Sequence, residues 1–327
     1  MNNDTMDQNL IESAATARNQ RAVAVSRQRT DTWARRVFFV ITVLPIGLIA
    51  VVLIGLLYRA WPILSQYPLT DLLFGVDWKP SEGRFGFYSF IVGTVWVTVV
   101  GVGLAIPPCI LVAIYLAEYA GARIRLLAKP ILDVLAAIPP VVYGVWGLLA
   151  VVPLVETTLG PWSQQLLGFW GLFAVQQPTG FSVLAGGIVL AVMITPLIIA
   201  VIFEIFNTVP VDLRNASLAI GATRWETIQR VLLPQVMPGI IAAIVLGASR
   251  AFGETIAVLM VVGNIAQVPH SLFDAAYPLP ALIANNYGEM MSIPLYDAAL
   301  LCAALILLVI ILLFNILATV VLKRFVK

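Results

Sequence analysis

The sequence has few charged residues and almost none of the side chains that usually hold metals. Only 11% of its 327 residues are charged and 61% are hydrophobic, whereas soluble globular proteins carry about 25% charged and 45–50% apolar residues. This composition excludes a water-soluble enzyme. Its two cysteines, Cys109 and Cys302, lie singly in apolar runs, and there is one histidine. Neither a disulfide framework nor a zinc site can be built from them.

Two further absences limit the possible functions. The net charge is only +2, which gives no basic surface for nucleic acid. No phosphate-binding loop of the form Gly-x-x-x-x-Gly-Lys-Ser/Thr occurs in the sequence, so the chain has no usual means of holding ATP. We therefore expect no catalytic residue, no cofactor and no metal ligand in this chain.

Long apolar runs are present instead, and they predict an all-α integral membrane protein. A helix needs about 20 residues to cross a hydrocarbon core of about 30 Å. Six runs reach this length, at about 37–58, 86–117, 131–155, 181–206, 236–262 and 296–322. Residues 1–36 form a polar tail with too little apolar surface to order itself. No A-x-A cleavage pattern follows the first run, so it is expected to be a retained span and not a signal peptide.

The basic residues are unevenly divided between the segments that join these spans. Fifteen lie in the tail, at 118–130, at 207–235 and at the C-terminus, and only three lie in the alternate loops, namely Arg59, Lys79 and Arg84. By the positive-inside rule, both termini are predicted to be cytoplasmic. The remaining basic residue, Arg250, falls in the middle of the fifth predicted span.

Arg250 requires an explanation of its own. An arginine near the bilayer centre costs at least about 2.5–3.5 kcal/mol, so it is expected to face the bundle interior or a wet pathway and to have a partner. Glu254 is the candidate partner, because residues four apart lie on one helix face. Gly253 between them would let a neighbouring backbone or a substrate approach. A buried ion pair that only fixes helix packing is the alternative.

Other polar and proline residues inside or near the spans suggest less. We expect carboxylates near span ends to be solvated without a function; these are Glu118, Asp133, Glu156 and Glu204. His270 is expected in a surface loop. Prolines within the predicted spans remove backbone donors and are expected to kink or break their helices; these are Pro107, Pro108, Pro139, Pro140, Pro153 and Pro196.

The segment 207–235 has the pattern of two short helices joined by a tight turn. Pro210 suits the first position of a helix that runs to about residue 220. Gly221 supplies a permissive backbone that ends it. Thr223 and Glu226 have the spacing of a capping box, which starts a second helix that is expected to stop before Pro234. An ordinary loop with helical character is the alternative.

The same segment resembles a known family. Asn215-Ala216-Ser217, then Gly221, then Val231-Leu232-Leu233-Pro234 is similar to the EAA loop of type I ABC-importer permeases. The spacing matches throughout, with Asn215, Ser217 and Val231 departing from the usual Glu, Ala and Ile. The resemblance implies a coupling loop at 207–235 in which Asn215, Ala216, Ser217, Gly221, Leu233 and Pro234 contact an ATPase. It also implies a transmembrane permease domain over 37–327.

Three further stretches, Leu135–Gly144, Gly221–Glu226 and Ser249–Val258, resemble the phosphate-specific ABC transporter permeases. The length, the arginine-rich tail and the residues Trp78-Lys79-Pro80, Phe85-Gly86 and Gly93-Thr94 resemble the PstC type in particular. This resemblance implies a bacterial inner-membrane permease with Arg250 and Glu254 on the path of inorganic phosphate. The implied partners are a PstA-like permease, a PstB-like ATPase dimer, a PstS-like phosphate-binding protein and membrane lipid. A permease for molybdate or sulfate, or a membrane subunit that mainly signals phosphate status, are the alternatives.

Overall fold

The computed structural model describes residues 4–288 and 293–325, and of residues 4–30, 32, 322, 324 and 325 it describes only the backbone. Residues 1–3 of the predicted tail and Lys327 of the basic C-terminus lie outside the described residues. The chain divides into two compact units, Met1–Tyr58 and Arg59–Lys327.

The described chain is almost entirely helical. Its α-helices are α1 (Asp4–Gln66), α2 (Leu69–Phe74), α3 (Tyr88–Ile114), α4 (Ala122–Ala137), α5 (Pro140–Trp146), α6 (Val152–Leu154), α7 (Gly160–Leu167), α8 (Val183–Asn207), α9 (Val211–Ala219), α10 (Arg224–Thr227), α11 (Leu233–Phe252), α12 (Ile256–Leu259), α13 (Leu279–Asn286) and α14 (Tyr296–Phe325). Wider π-helical turns at Tyr115–Tyr119, Gly147–Val151, Val155–Leu159 and Ile228–Leu232 extend or join some of them. A single antiparallel hairpin pairs β1 (Trp78–Lys79) with β2 (Arg84–Phe85) in the described residues.

The prediction of six spans is confirmed. Within the described residues, six helical stretches are long and apolar enough to cross a membrane: Trp33–Gln66, Tyr88–Tyr119, Pro140–Leu167, Val183–Asn207, Arg224–Phe252 and Tyr296–Val321. The first, second, fourth and sixth agree with the predicted runs to within a few residues, apart from the eight-residue extension of the first at Gln66. The third and fifth have different limits, and both differences concern helix breaks.

The first unit consists of one helical segment. Helix α1 begins at Asp4, so the backbone of the polar tail is helical and the expected boundary at residue 36 lies inside a continuous helix. Large apolar side chains are exposed along the later part of this unit; Phe38, Leu44 and Ile54 are 68%, 64% and 65% exposed. Apolar residues on every side of a helix are typical of a segment surrounded by lipid.

The third span is interrupted where the sequence has two consecutive prolines. Helix α4 ends at Ala137, and Ile138 and Pro139 have extended backbones with ψ of 128° and 139°. A residue that precedes proline is disfavoured in the α conformation, and neither Pro139 nor Pro140 can donate a backbone hydrogen bond. The predicted run 131–155 is therefore divided between the end of α4 and the helices that follow Pro140.

At the prolines of α3 and α8, where a kink or a break is expected, the helices are not broken. Helix α3 is continuous through Pro107 and Pro108, and α8 is continuous through Pro196. Beside Pro196, the Thr195 hydroxyl donates to the carbonyl of Ala191 at 2.7 Å. A side-chain donor of this kind satisfies a carbonyl in the turn that proline disturbs.

The core of the second unit forms around α3 and α8, which pack closely along their length. Glycines permit the contact. A Cβ on Gly187 would lie 2.5 Å from Cγ1 of Val100, and one on Gly101 would lie 2.8 Å from Cβ of Leu190. Helices α4, α11 and α12 complete this hydrophobic cluster around α8.

A second cluster joins the hairpin to the start of α14. Trp78 packs against Phe85, Phe90 and Tyr296, with ring centroids 5.7, 5.1 and 6.2 Å away. This tryptophan therefore lies in a packed aromatic core, whereas Trp162 is 59% exposed. Ala60 and Ile63, in the last turns of α1, are fully buried in the same cluster.

The contact between α3 and α8 can be tested at its glycines. Gly187→Ala is expected to lower the free energy of unfolding by about 1–3 kcal/mol, because overpacking forces neighbouring side chains to move. Gly103→Ala is the matched control in α3, since a Cβ there would meet nothing within 4 Å. The control should be neutral or stabilising, because alanine favours helix more than glycine. Thermal unfolding in detergent, followed by circular dichroism, measures both; equal midpoints would contradict the packing described.

Candidate functional site

The 207–235 segment folds largely as its sequence predicts. Helix α9 runs from Val211 to Ala219, with Pro210 just before its first residue. Gly221 has φ of +90°, a left-handed conformation that side chains with a Cβ rarely adopt. The capping box is also present: the Glu226 backbone donates to the Thr223 hydroxyl at 3.3 Å, and the Thr223 backbone donates to the Glu226 carboxylate at 2.9 Å. The prediction of two helices joined by a tight glycine turn is confirmed.

The predicted stop before Pro234 is wrong. Helix α10 continues through the wider turn Ile228–Leu232 into α11 without a break. Pro234 is the second residue of α11, and the Leu233 amide bonds to the Ile228 carbonyl across the wider turn. The wider turn just before Pro234 accommodates this proline, because a local π-helical adjustment re-satisfies the backbone groups that proline leaves unpaired. The fifth span therefore starts at Arg224, twelve residues before the predicted run at 236.

The residues predicted to contact an ATPase differ in their exposure. Asn215, Ala216 and Pro234 are exposed, and Leu233 is half-buried. Ser217 is buried, and its hydroxyl lies 2.9 Å from the Thr227 hydroxyl, which ties α9 to α10. Ser217 is therefore in a position to hold the two helices together.

An apolar surface is exposed on the same segment. Val211, Ile220 and Trp225 are 63%, 86% and 53% exposed, and Leu218 is 44% exposed. Exposed apolar patches on an otherwise polar segment are typical of protein contact sites. The charged and small residues of the segment frame this patch.

A buried ion pair holds α9 to the spans, and the sequence analysis missed it. The Arg214 guanidinium donates to Oε1 of Glu118 from Nε at 3.1 Å and from Nη2 at 2.9 Å. Only 19% of the Arg214 side chain and 12% of the Glu118 side chain are exposed. The expectation that Glu118 is a solvated carboxylate is therefore wrong. The partners are separated by 96 residues, and no local pattern links them.

Glu204 is exposed, as expected for a solvated carboxylate, and it accepts a hydrogen bond from Lys129 at 2.8 Å. This bond joins α4 to the end of α8 and raises the pKa of Lys129 above its usual value. Both side chains are more than half exposed, so the pair contributes little to stability. His270 is exposed, as expected, and its backbone amide donates to Asp274.

Arg250 lies at the end of the fifth span and not in its middle. Helix α11 ends at Phe252, and Gly253 and Glu254 follow it, so Arg250 occupies the last turn. Among the described residues, the Arg250 side chain makes no hydrogen bond or ion pair, and the expected pairing with Glu254 is absent. Glu254 accepts instead from the Ala257 amide at 3.3 Å, where a carboxylate suits the first turn of α12.

Two interrupted spans meet beside Arg250. Helix α12, which follows the break at Gly253, packs against α5, which follows the break at Pro139. A Cβ on Gly144 of α5 would lie 3.2 Å from Cα of Ala257, so only glycine permits this approach. Tyr143, also in α5, lies near Arg250.

Tyr143 supplies a hydrogen-bond donor at the break in the third span. Its hydroxyl donates at 2.8 Å to the carbonyl of Leu135. The residue four positions after Leu135 is Pro139, which has no amide hydrogen. The Leu135 carbonyl accepts instead from the Ile138 amide at 3.3 Å and from the phenol. The sequence analysis quoted Leu135–Gly144 as a motif without assigning Tyr143; the two prolines four and five residues after Leu135 were the available signal.

The arrangement can hold an anion but shows no metal-binding geometry. Within the described chain, no group of three or more His, Cys, Asp or Glu side chains could hold a metal ion. The half-buried Arg250 has all its side-chain donors available and lies where two helices are interrupted. A planar guanidinium gives a tetrahedral oxyanion two parallel charge-assisted hydrogen bonds.

Known proteins share both the sequence and the fold of this chain. The chain is 33% identical to the phosphate transport system permease protein PstC of Mesorhizobium japonicum over 93% of this chain and 97% of that protein. It is 35% identical to the protein of the same name from Pasteurella multocida over 74% of this chain and 76% of the relative. A chain of the MetNI methionine ABC transporter, solved in inward-facing conformations, shares the fold at 20% identity, with a TM-score of 0.50 over 72% of this chain and 94% of that one.

The family assignment follows from the match of residues 109–327 to the family model described as binding-protein-dependent transport system inner membrane component. This match covers about two thirds of the chain, and it includes the interrupted third and fifth spans and the 207–235 segment. The chain belongs to this family of inner-membrane transport components and is a multi-pass membrane protein.

Proposed function

We propose that this chain is the permease subunit of an ATP-driven ABC importer and forms part of the transmembrane pathway for inorganic phosphate. The observation that carries the proposal is Arg250, an arginine without a partner among the described residues, at the meeting of two interrupted spans. Discontinuous helices are typical of substrate sites in membrane transporters. The phosphate transport named for the two relatives supports the choice of anion.

The two site residues have different roles in this proposal. Arg250 binds the phosphate oxyanion through its guanidinium. Glu254 accepts from the Ala257 amide in the first turn of α12 and so fixes the backbone beside the anion. Alternating access would open the pathway to one side at a time.

The 207–235 segment is the coupling element in the same proposal. Its exposed apolar patch, which includes Ile220 and Trp225, docks into an ATPase subunit. The residues that shape this contact are Asn215, Ala216, Gly221, Leu233 and Pro234. The uneven distribution of basic residues supports a cytoplasmic location for this segment, the 1–36 tail and both termini.

The complete importer then contains four kinds of component besides lipid. A PstA-like permease pairs with this chain, a PstB-like ATPase dimer sits at the cytoplasmic face, and a PstS-like protein delivers phosphate from outside. The absence of a phosphate-binding loop from this sequence supports a separate ATPase.

The anion site is tested by Arg250→Ala. Losing charge-assisted hydrogen bonds worth about 1.5–3 kcal/mol should reduce phosphate uptake by about 10- to 150-fold, with the complex still assembled. Arg250→Lys should retain part of the activity, because it keeps the charge but not the planar fork. The control is Arg123→Ala, which removes an exposed arginine from α4 and should leave uptake unchanged.

Uptake of radiolabelled phosphate into proteoliposomes that contain the purified complex is the measurement. Wild-type uptake in Arg250→Ala would exclude the anion-binding role. Competition by excess molybdate or sulfate, with equal potency to unlabelled phosphate, would contradict the assignment of phosphate as the cargo.

Coupling is tested at Gly221, where only the backbone conformation matters. A Cβ there would meet nothing within 4 Å, so any effect of substitution comes from the positive φ and costs about 1–2 kcal/mol for an ordinary side chain. Gly221→Val should misplace α9 and abolish the stimulation of ATP hydrolysis by loaded binding protein. Gly221→Asn is the matched control, because asparagine tolerates left-handed backbone, and it should retain most of the stimulation.

Hydrolysis by the complex in nanodiscs, measured with and without loaded binding protein, separates the two variants. Normal stimulation in Gly221→Val, with ATPase subunits still bound, would mean that the 207–235 segment is not the coupling element.

A further inference from the structure

We propose that Arg214 is the positioning residue that transmits movement of α9 to α3 and α8, through its buried bonds to Glu118 and to the end of α8. This inference rests on the proposed function, because it assumes that an ATPase moves α9. It concerns a residue pair outside both the anion site and the surface expected to touch the ATPase.

Hydrophobic packing does not hold α9. Ser217 is its only buried residue, and its larger apolar side chains are exposed, among them Val211, Leu213 and Leu218. A helix of nine residues is too short to be stable in water without tertiary contacts. Specific polar bonds must therefore set where α9 lies.

Arg214 makes a set of such bonds. Besides the two bonds to Glu118, its Nη1 donates to the carbonyl of Val209 at 2.7 Å, and its Nη2 donates to the carbonyl of Phe206 at 2.8 Å. Phe206 lies in the last turn of α8, and Glu118 lies in the wider turn that ends the second span. One guanidinium thus joins the ends of two spans to α9.

The two spans that Arg214 joins are themselves tightly packed. Helices α3 and α8 meet at glycines that leave no room for a Cβ, so they are expected to move together. The other polar attachment of α9, from Ser217 to Thr227, leads to α10 and through it to the fifth span. Displacement of α9 therefore reaches α3 and α8 through Arg214 and the backbone link at Thr208–Pro210.

The chain offers a matched control for this pair. Lys129 and Glu204 form an ion pair of similar length, 2.8 Å against 2.9 Å for Arg214 and Glu118. That pair also ends on α8, but it joins α4 and makes no bond to α9, and both its side chains are more than half exposed. Its removal should not affect transmission.

The experiment compares Arg214→Gln and Glu118→Gln with Lys129→Gln and Glu204→Gln in the assembled complex in proteoliposomes. The readout is the number of phosphate ions transported per ATP hydrolysed. Loss of the charge-assisted bonds should lower this ratio by about tenfold or more in the first two variants, with basal hydrolysis retained. The two control variants should keep the wild-type ratio. Simple misfolding would lower transport and hydrolysis together and leave the ratio unchanged.

Glu118→Gln protects the test against failure to fold, because it preserves side-chain shape and both carbonyl bonds of Arg214. An unchanged ratio in both Arg214→Gln and Glu118→Gln would overturn the proposal. So would loss of assembly in Glu118→Gln, since the pair would then serve only to hold the fold.

A distance measurement keeps this inference separable from the proposed function. Nitroxide labels at Asp212→Cys in α9 and Leu111→Cys in α3 occupy exposed positions outside the proposed ATPase contact, while the native Cys109 and Cys302 are buried. Binding of a non-hydrolysable ATP analogue should leave the distance between the two labels unchanged in the wild-type complex. In Arg214→Gln it should change this distance. A wild-type complex that moves no phosphate would refute the proposed function. A label distance that responds identically with and without Arg214 would refute this inference.

Discussion

The fold depends on satisfying backbone hydrogen bonds where water is absent. In hydrocarbon each unpaired amide or carbonyl costs several kcal/mol, so an interruption of a spanning helix needs another partner. This chain uses side chains for that purpose. Tyr143 bonds the Leu135 carbonyl that Pro139 cannot reach, Glu254 bonds the Ala257 amide, and Arg214 bonds two carbonyls at the end of α8. The polar residues of the permease are concentrated at the places where its helices stop.

Arg214 and Arg250 differ in how many of their side-chain donors form hydrogen bonds. Arg214 makes four hydrogen bonds and is mostly buried. Arg250 makes none to a described side chain or carbonyl. A fully bonded guanidinium fixes the relative position of the groups around it, whereas an unbonded one remains available to a ligand. The arginine side chain therefore fixes the position of its neighbours at Arg214 and is available to recognise a ligand at Arg250.

Sequence patterns predicted those features that depend on neighbouring residues. Six apolar runs, the capping box at Thr223 and the turn at Gly221 are local, and all are present. The pairing of Glu118 with Arg214 could not be predicted, because burial and partner depend on how α3 lies beside α9. The four-residue spacing of Arg250 and Glu254 gave a wrong prediction for a related reason. The helix ends between them, so residues four apart no longer lie on one helix face.

Because the helix continues through Pro234 without a break, the fifth span is one continuous helix. Its 29 residues, Arg224–Phe252, correspond to a length of about 43 Å at 1.5 Å per residue. One end is the capping box of the 207–235 segment and the other holds Arg250. A tilt of about 5° around the capped end therefore displaces the arginine end by roughly 4 Å, more than the length of a hydrogen bond. The helix is therefore long enough to act as a lever between the capping box and the proposed anion site.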